Sequence, residues 1–242
     1  MLNTFKKELG KLKNPEKAKK LGRYFKTGKG EYADGDNFLG IIVPEQRKVA
    51  KKYDLSLDEL QKLLSSKIHE YRLTALFILV DKYKKADEKL KKVIVDFYLR
   101  NTKNINNWDL VDLSAPNILG DFLSSKHFMQ SPDKDRNILY KLAKGHLWEK
   151  RIAILATFAF IRKNDFSDSL KIAEILLKDK HDLIHKAVGW MLREIGKRNQ
   201  DVEEKFLKKH YKHMPRTMLR YAIEKFSEKQ RQFYLDKKLE KI

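Results

Sequence analysis

The chain has 242 residues, of which 53 are Lys or Arg and 33 are Asp or Glu, giving a net charge of +20. Apolar residues make up 42%, which is enough for a folded core and excludes global disorder. Cysteine is absent, so disulfides, thiolate nucleophiles and zinc sites built from cysteines are excluded. The positive charge predicts attraction to a polyanion, most commonly nucleic acid; a generally lysine-rich surface is the alternative.

The first segment, "MLNTFKKELGKLKNPEKAKK", is dense in lysine and has apolar residues at helical spacing. It lacks the unbroken apolar core of a signal peptide. No window of about 18 uncharged apolar residues occurs, so no membrane span is predicted. We therefore expect a soluble cytoplasmic protein.

The middle of the chain continues in helical patterns, interrupted by one glycine-rich loop, "KTGKGEYADGDNFLG" (26–40). This loop matches neither common nucleotide-binding fingerprint. "FLGIIV" (38–43) is the one β-like stretch, and it is equally compatible with a buried connection. Ser56 and Glu59 predict a capping box, and Pro44, Pro132 and Pro215 predict helix boundaries. The pattern predicts an all-α protein of about a dozen short helices in a single domain, 1–242.

Similar segments recur around Arg72, Asp112, Arg151, Lys186 and Arg220, at spacings of 40, 39, 35 and 34 residues. Such periods are typical of stacked helix pairs. They predict a HEAT-like helical-repeat solenoid, an α-α superhelix with a concave basic groove.

The repeat register predicts a basic stripe that binds the phosphates of a polyanion. The aligned positions are basic at Arg72, Arg151, Lys186 and Arg220, and Arg193 is a further candidate. Asp112 is the exception, and a carboxylate repels phosphate. Catalysis is one explanation for Asp112, and a local salt bridge is the other.

Trp108 and Asp112 share one face of a predicted helix, with Ala115 beneath them and Pro116 bending or restarting the helix. Trp190 follows Lys186 at the same four-residue spacing. Two indoles and one carboxylate suggest a cradle for a cationic group. The alternative is that both tryptophans belong to the core.

Three further sets of residues are expected to have no catalytic role. Asp109 is interpreted as a first-turn helix acid with no other role. The pairs His181/His185 and His210/His213 lack the pattern of a metal site and are interpreted as surface or capping residues. No metal and no cofactor are predicted.

The motifs "NNWDLVD", "WEKRIAIL" and "HKAVGWMLREIGK" resemble those of the AlkD-type DNA alkylation-repair glycosylases, as does "GDNFLGIIVPEQRKVAK". The resemblance spans roughly residues 30 to 225 and preserves the order W-x-x-x-D, W-x-[KR]-R, K-A-x-G-W-x-L-R-E. It implies a HEAT-like fold, excision of N3- and N7-alkylated purines from duplex DNA, and association with the nucleoid through that DNA. It implies nothing for the charged tail beyond residue 225.

The same resemblance implies roles for single residues. Asp112 matches the catalytic acid, Trp108 and Trp190 match the aromatic pair against the lesion's sugar–phosphate, and Arg151 matches a DNA-contacting arginine. The resemblance offers no lysine at the catalytic position, so we expect a monofunctional hydrolase that forms no Schiff base. It also implies recognition through the DNA backbone, with the lesion left stacked in the duplex. We expect a monomer. The alternatives are a non-catalytic HEAT-like module that binds DNA or RNA structure, and a protein–protein scaffold.

Overall fold

The computed structural model describes residues 1–130 and 135–236. Every regular element in these ranges is helical, apart from one backbone bridge between Asn37 and Ile68, which confirms the all-α class. The chain divides into two compact units, Met1–Ser114 and Ala115–Ile242. The single domain, the solenoid and the concave groove stay predictions.

The first unit is organised around one long buried helix, α5. In chain order its helices are α1 (Leu2–Lys11), α2 (Pro15–Tyr24), α3 (Val43–Ala50), α4 (Leu57–Leu64), α5 (His69–Lys85), α6 (Glu88–Arg100) and α7 (Trp108–Ser114). Helix α5 packs against α3, α4, α6 and α7. Its apolar residues lie on all sides, as expected of a helix enclosed by others.

Local sequence signals set several of these boundaries. Ser56 accepts a hydrogen bond from the Glu59 N–H while the Glu59 side chain accepts from the Ser56 N–H, which confirms the predicted capping box of α4. Pro44 lies in the first turn of α3, where its missing N–H costs no hydrogen bond. Pro132 lies outside the described residues. "FLGIIV" is a connection rather than a strand.

The second unit is organised around α14. It contains a π-helical segment (Pro116–Gly120), α8 (Asp121–Leu123), α9 (Lys126–Gln130), α10 (Asn137–Leu142), α11 (Leu147–Ala156), α12 (Phe158–Ile161), α13 (Ser167–Leu176), α14 (Asp182–Gly196), α15 (Gln200–His210), a 3-10 turn (Tyr211–His213), α16 (Arg216–Ala222), a second 3-10 turn (Ile223–Lys225) and α17 (Glu228–Leu235). Helix α14 packs against α11, α12, α13, α15 and α16.

Close packing and capping in this unit follow from particular residues. At Gly189 a Cβ would collide with the Met218 backbone oxygen, so glycine lets α14 approach α16 closely. His181 accepts a hydrogen bond from the Leu183 N–H at 3.1 Å and caps α14, as predicted for a capping histidine. Pro116 opens the π-helical segment, which confirms that the α-helical pattern is interrupted there.

One buried carboxyl group in the second unit is incompletely bonded. Glu203 on α15 is 1% exposed, and its Oε1 has no hydrogen-bond partner within the described ranges. Burial, together with the charge of Glu204, raises the pKa of Glu203 to about 9.

No helix in the described residues is both long and apolar enough to span a lipid bilayer.

Candidate functional site

Helix α7 carries the two residues that the sequence places on one face. The Asn107 side chain accepts a hydrogen bond from the Trp108 N–H at 2.7 Å, where the helix begins. Leu110, Val111 and Ser114 are buried, which turns the opposite side of α7 toward the core. Trp108 and Asp112, one turn apart, are both half-buried.

The indole of Trp108 is held by aromatic contacts. It stacks on Phe25 with ring centroids 5.2 Å apart and planes inclined by 16°. The ring of Tyr24, which is 65% exposed, meets it edge-on at 6.1 Å. The Tyr32 hydroxyl accepts a hydrogen bond from the indole N–H, since no other Trp108 side-chain atom can donate. Three contacts therefore fix the plane of the ring.

Asp112 lies near a buried hydroxyl pair. The Tyr98 and Ser114 hydroxyls lie 2.9 Å apart and form a hydrogen bond. Burial raises the pKa of Tyr98, the Ser114 bond lowers it, and the negative charge of Asp112 raises it further. The carboxylate of Asp112 is thus close enough to the core of the first unit to act on the Tyr98 hydroxyl electrostatically.

Asp109 has a partner that the sequence did not reveal, so the interpretation that it has no further role is wrong. Its Oδ2 accepts a hydrogen bond from His69 Nε2 at 2.8 Å, and its Oδ1 accepts from the Leu110 N–H at 2.8 Å. His69 is 2% exposed. The other ring nitrogen, Nδ1, lies 3.8 Å from Asp36 Oδ2.

This arrangement favours a charged imidazole. Burial by itself lowers the pKa of His69, but the Asp109 and Asp36 carboxylates outweigh that effect and raise it to about 9. The Arg72 guanidinium lowers it again in part. His69 is therefore an imidazolium between two carboxylates at neutral pH.

The expectation that Arg72 belongs to an exposed phosphate track is corrected by its position. Its side chain is 3% exposed. Nη2 binds Asp36 Oδ2 at 2.5 Å, and Nη1 donates to the Ser66 carbonyl oxygen at 2.7 Å. The repeat register locates Arg72 correctly in the first turns of a helix, but both of its terminal nitrogens are bonded within the first unit.

A different basic surface of the first unit is exposed. Helix α2 has no buried residue. Its four cations are all solvent-exposed, and none forms an ion pair within the described part of the chain; they are Lys17, Lys19, Lys20 and Arg23, here called the α2 cations. Lys20, Arg23 and Tyr24 lie one turn apart, so the exposed tyrosine that touches Trp108 borders this surface. The lysine density of the N-terminal segment was the available sequence signal.

In the second unit, Trp190 is half-buried on α14. Its Nε1–H donates to Glu194 Oε1 at 3.1 Å, and the same oxygen lies 2.7 Å from Lys197 Nζ. The ring of Phe158 is 5.9 Å away and inclined by 53°.

Arg151, the predicted DNA-contacting arginine, is 4% exposed. Its Nη1 donates to the Leu183 carbonyl oxygen at 2.5 Å. The preceding Lys150 lies 2.7 Å from Asp179. Like Arg72, Arg151 is therefore not part of an exposed phosphate track, and the DNA contact that the resemblance implies for it stays a prediction.

The remaining cations predicted for the phosphate track lie on α14 and α16. Lys186 pairs with Asp182 at 2.7 Å, Arg193 pairs with Glu224, and Arg220 is exposed. A role in DNA binding stays a prediction for each of them.

The histidine pairs do not assemble with other potential ligands. His185 Nε2 lies 2.6 Å from the Asp179 carbonyl oxygen, and His210 Nε2 lies 2.9 Å from Glu174. Within residues 1–130 and 135–236, no group of three or more His, Asp or Glu side chains is arranged to hold a metal ion.

Comparison with known families assigns the chain. The model of the family described as DNA alkylation repair enzyme matches residues 5–226. This protein belongs to the DNA alkylation repair enzyme family. The assignment confirms the resemblance inferred from the Trp108, Arg151 and Trp190 motifs, and it supports a role in DNA alkylation repair with DNA as the substrate.

A solved structure shares the fold of this family member. A predicted DNA alkylation repair enzyme from Enterococcus faecalis aligns with 89% of this chain and 97% of its own, with a TM-score of 0.68 and 19% sequence identity. No curated protein matches the chain. At this identity, the structural likeness supports the fold alone.

Proposed function

We propose that this protein is a monofunctional DNA glycosylase that hydrolyses the N-glycosidic bond of cationic N3- and N7-alkylated purines in duplex DNA. One observation carries the proposal: a half-buried carboxylate, Asp112, shares a helix face with Trp108, an indole whose plane is fixed. In a DNA repair enzyme, a carboxylate beside an aromatic ring can stabilise a deoxyribose that becomes cationic during the reaction.

The chemistry requires only one acid. Alkylation at N3 or N7 makes the purine cationic, so the base departs as a neutral molecule and needs no general acid. Positive charge then develops on the deoxyribose, as in other glycoside cleavages. A carboxylate near C1′ stabilises that charge and orients the attacking water. The indole face of Trp108 adds a favourable interaction with the same charge.

Binding to the phosphate backbone is assigned to several basic residues. In the first unit, the α2 cations are accessible, lack ion-pair partners in the described ranges, and border Tyr24 and Trp108. In the second unit, we retain the predicted phosphate contacts by Lys186, Arg193 and Arg220, and the predicted contacts of Arg151 and Trp190 with DNA. Recognition through the backbone fits a lesion that stays stacked in the duplex, with selectivity arising from the lability of the cationic base.

The test is base release from methylated duplex DNA, with free 3-methyladenine and 7-methylguanine as products. Asp112→Asn keeps the side-chain shape and removes the charge, and we expect it to release base at least about 100-fold more slowly than the native protein. Asp96→Asn, which makes the same charge change at an accessible position on α6, is the matched control.

DNA binding is measured alongside release. Because the carboxylate acts on the developing charge, Asp112→Asn should bind the duplex at least as tightly as the native protein. DNA binding with no base release by the native protein would favour the non-catalytic module instead. Equal release by the native protein and Asp112→Asn would contradict the role of Asp112.

A further inference from the structure

The glycine-rich loop (residues 26–40), with the adjoining Ile41, has no role in the function proposed above. Its own carboxylates satisfy its amides: the Gly28 N–H donates to Glu31 at 2.8 Å, and the Gly30 N–H donates to Asp34 at 2.9 Å. Such a loop does not offer these N–H groups to a phosphate. Its contacts with α5 and α7 give it a different role.

The loop is fastened to the start of α5 by main-chain bonds. The Asn37 N–H donates to the Lys67 carbonyl oxygen, and the His69 N–H donates to the Asn37 carbonyl oxygen, each at 2.8 Å. The Glu70 carboxylate, on a side chain 1% exposed, accepts three consecutive backbone N–H groups from residues 39–41 at 2.9, 2.8 and 3.2 Å. Buried charge-assisted bonds of this kind hold a segment rigidly.

Gly40 allows this attachment. Its φ of +82° lies in the left-handed region, and a Cβ there would collide with the backbone oxygen of Asn14. The Leu39 carbonyl oxygen also accepts a hydrogen bond from the Asn14 N–H at 2.9 Å. The loop is therefore fixed against the start of α2 as well as against α5.

From this anchored position the loop acts on α7 by two routes, one direct and one through His69 on α5. The Tyr32 hydroxyl accepts the indole N–H of Trp108. Asp36 binds Arg72 and lies 3.8 Å from His69, whose Nε2 donates to Asp109, the residue that follows Trp108. The Tyr32 contact fixes the orientation of the indole, and the contacts of His69 with Asp36 and Asp109 fix the first turn of α7, which carries the indole.

Aromatic rings complete the connection. Phe38 stacks on His69 with centroids 4.5 Å apart and planes inclined by 19°. Phe25 stacks on Phe38 at 5.1 Å on one side and on Trp108 at 5.2 Å on another. The imidazolium thus lies against an aromatic face that attracts a cation, within a stack that ends at the indole.

We propose that residues 26–41, together with His69 on α5, act as an orienting clamp on α7, in which Tyr32 and His69 are positioning residues that fix the ring of Trp108 and the helix start preceding Asp112. Neither residue is expected to touch the lesion. Tyr32 acts through the indole, and His69 acts through Asp109. The effect on catalysis rests on the glycosylase function proposed above, whereas the orientation of Trp108 does not.

Fluorescence tests the clamp without any activity measurement. Replacing Trp148 and Trp190 by Phe leaves Trp108 as the single reporter. In this background we expect Tyr32→Phe and His69→Gln each to raise the acrylamide quenching constant of Trp108 about twofold, because a ring freed from its partners samples other rotamers. Tyr32→Phe removes a single oxygen and carries the test if His69→Gln does not fold.

Two variants serve as matched controls. Tyr53→Phe removes a hydroxyl that bonds Glu8 in the same unit, and His210→Gln removes a ring that bonds Glu174 in the second unit. Both should leave the quenching of Trp108 unchanged. Unchanged quenching in Tyr32→Phe and His69→Gln would overturn the clamp.

The charge on His69 has its own readout. The charged groups that face this ring are Asp36 from the loop, Asp109 from α7 and Arg72 from α5. In long-range 1H–15N spectra of the seven histidines, one imidazole should stay doubly protonated up to a pH of about 9 and be missing in His69→Gln. A ring at position 69 that is neutral at pH 7 would overturn its bridging role.

Kinetics connect the clamp to catalysis. In the otherwise native protein, Tyr32→Phe should slow single-turnover base release about tenfold while changing the Kd for undamaged duplex less than about twofold, since a misoriented ring impairs the transition state more than binding. An equal fold-change in the rate of base release and in the Kd for undamaged duplex would contradict a positioning role. If the native protein releases no base, the proposed function fails while the fluorescence result still decides the clamp.

Discussion

Trp108 and Trp190 were predicted as a matched aromatic pair, yet their surroundings differ. Trp108 stacks nearly parallel on Phe25, and its N–H binds the Tyr32 hydroxyl. Trp190 meets one tilted ring at 5.9 Å, and its N–H binds Glu194, one turn along its own helix. The first indole is oriented by residues distant in sequence, and the second mainly by its own helix.

Under the proposed function, the difference predicts different roles for the two tryptophans. A ring locked between neighbours suits the precise placement of a group beside a reacting carbon. A ring held by one tilted aromatic neighbour and a carboxylate shared with Lys197 suits an adaptable contact with DNA. The comparison therefore predicts that the same substitution has different effects on local stability at the two tryptophans.

The largest expected effect is on stability. Trp108→Ala removes a stacked ring and leaves the Tyr32 hydroxyl without its donor, so we expect a loss of about 3 kcal/mol in the local unfolding free energy of α7. Trp190→Ala should cost about 1 kcal/mol at α14. Hydrogen exchange of peptides from the two helices measures both, with Trp108→Phe and Trp190→Phe as controls. Equal losses would show that the two environments are energetically equivalent.

The next effect concerns the buried imidazolium of the first unit. The pKa of His69 is about 9 against an ordinary value of 6.5, so its contribution to folding is full below pH 6.5 and is lost as pH rises to about 9. His69→Gln should be less stable than the native protein by about 2 kcal/mol at pH 6 and nearly equal to it above pH 9.

Denaturant titrations that follow Trp108 fluorescence measure this difference. The background with Trp148 and Trp190 replaced by Phe serves for both proteins. A gap between His69→Gln and its parent that stays constant from pH 6 to pH 9 would rule out a charged His69.

In the second unit, replacing a buried ionisable group is expected to stabilise the fold rather than to destabilise it. Glu203 has a pKa of about 9 against an ordinary value of 4.5, so burial penalises its ionised form increasingly as pH rises from 4.5 to 9. Glu203→Gln should therefore stabilise this unit at pH 8, by about 1–2 kcal/mol.

Trp190 fluorescence, in a background with Trp108 and Trp148 replaced by Phe, follows this unit. The stabilisation by Glu203→Gln should disappear at pH 4.5. A variant that is destabilised at pH 8 would mean that the ionised carboxylate is stabilising in the folded protein.

A smaller effect concerns the basic surface beside Trp108. Each cation that binds a phosphate contributes about 0.9 to the slope of log K against log salt, so replacing Lys20 and Arg23 by Gln should reduce that slope by about two units. Lys48→Gln with Lys91→Gln removes the same charge from residues already paired with Glu45 and Glu88. An equal change in both double variants would mean that only net charge matters.

The sequence predicted features that depend on neighbouring residues. The Ser56–Glu59 capping box and the shared helix face of Trp108 and Asp112 follow from spacing within one helix. The all-α class and the family were also predictable, because periodicity and ordered motifs span the chain.

Contacts between distant segments were not predictable. The bonds from His69 to Asp109 and from Arg72 to Asp36 join residues 40 and 36 positions apart. The spacing of the sequence repeats placed Arg72 correctly near the start of a helix. It did not predict that a loop buries the first turn of α5. Burial of polar side chains is set by tertiary packing, so the accessible cations had to be found on α2 instead.

The central claim is that the Asp112 carboxylate stabilises positive charge on the sugar. It is tested most directly by comparing the Kd values for two duplexes, one carrying a cationic pyrrolidine in place of the lesion sugar and the other a neutral tetrahydrofuran. The native protein should prefer the cationic site by about tenfold or more, because that site resembles the transition state. Asp112→Asn should bind both duplexes equally. The same preference in both proteins would contradict the claim.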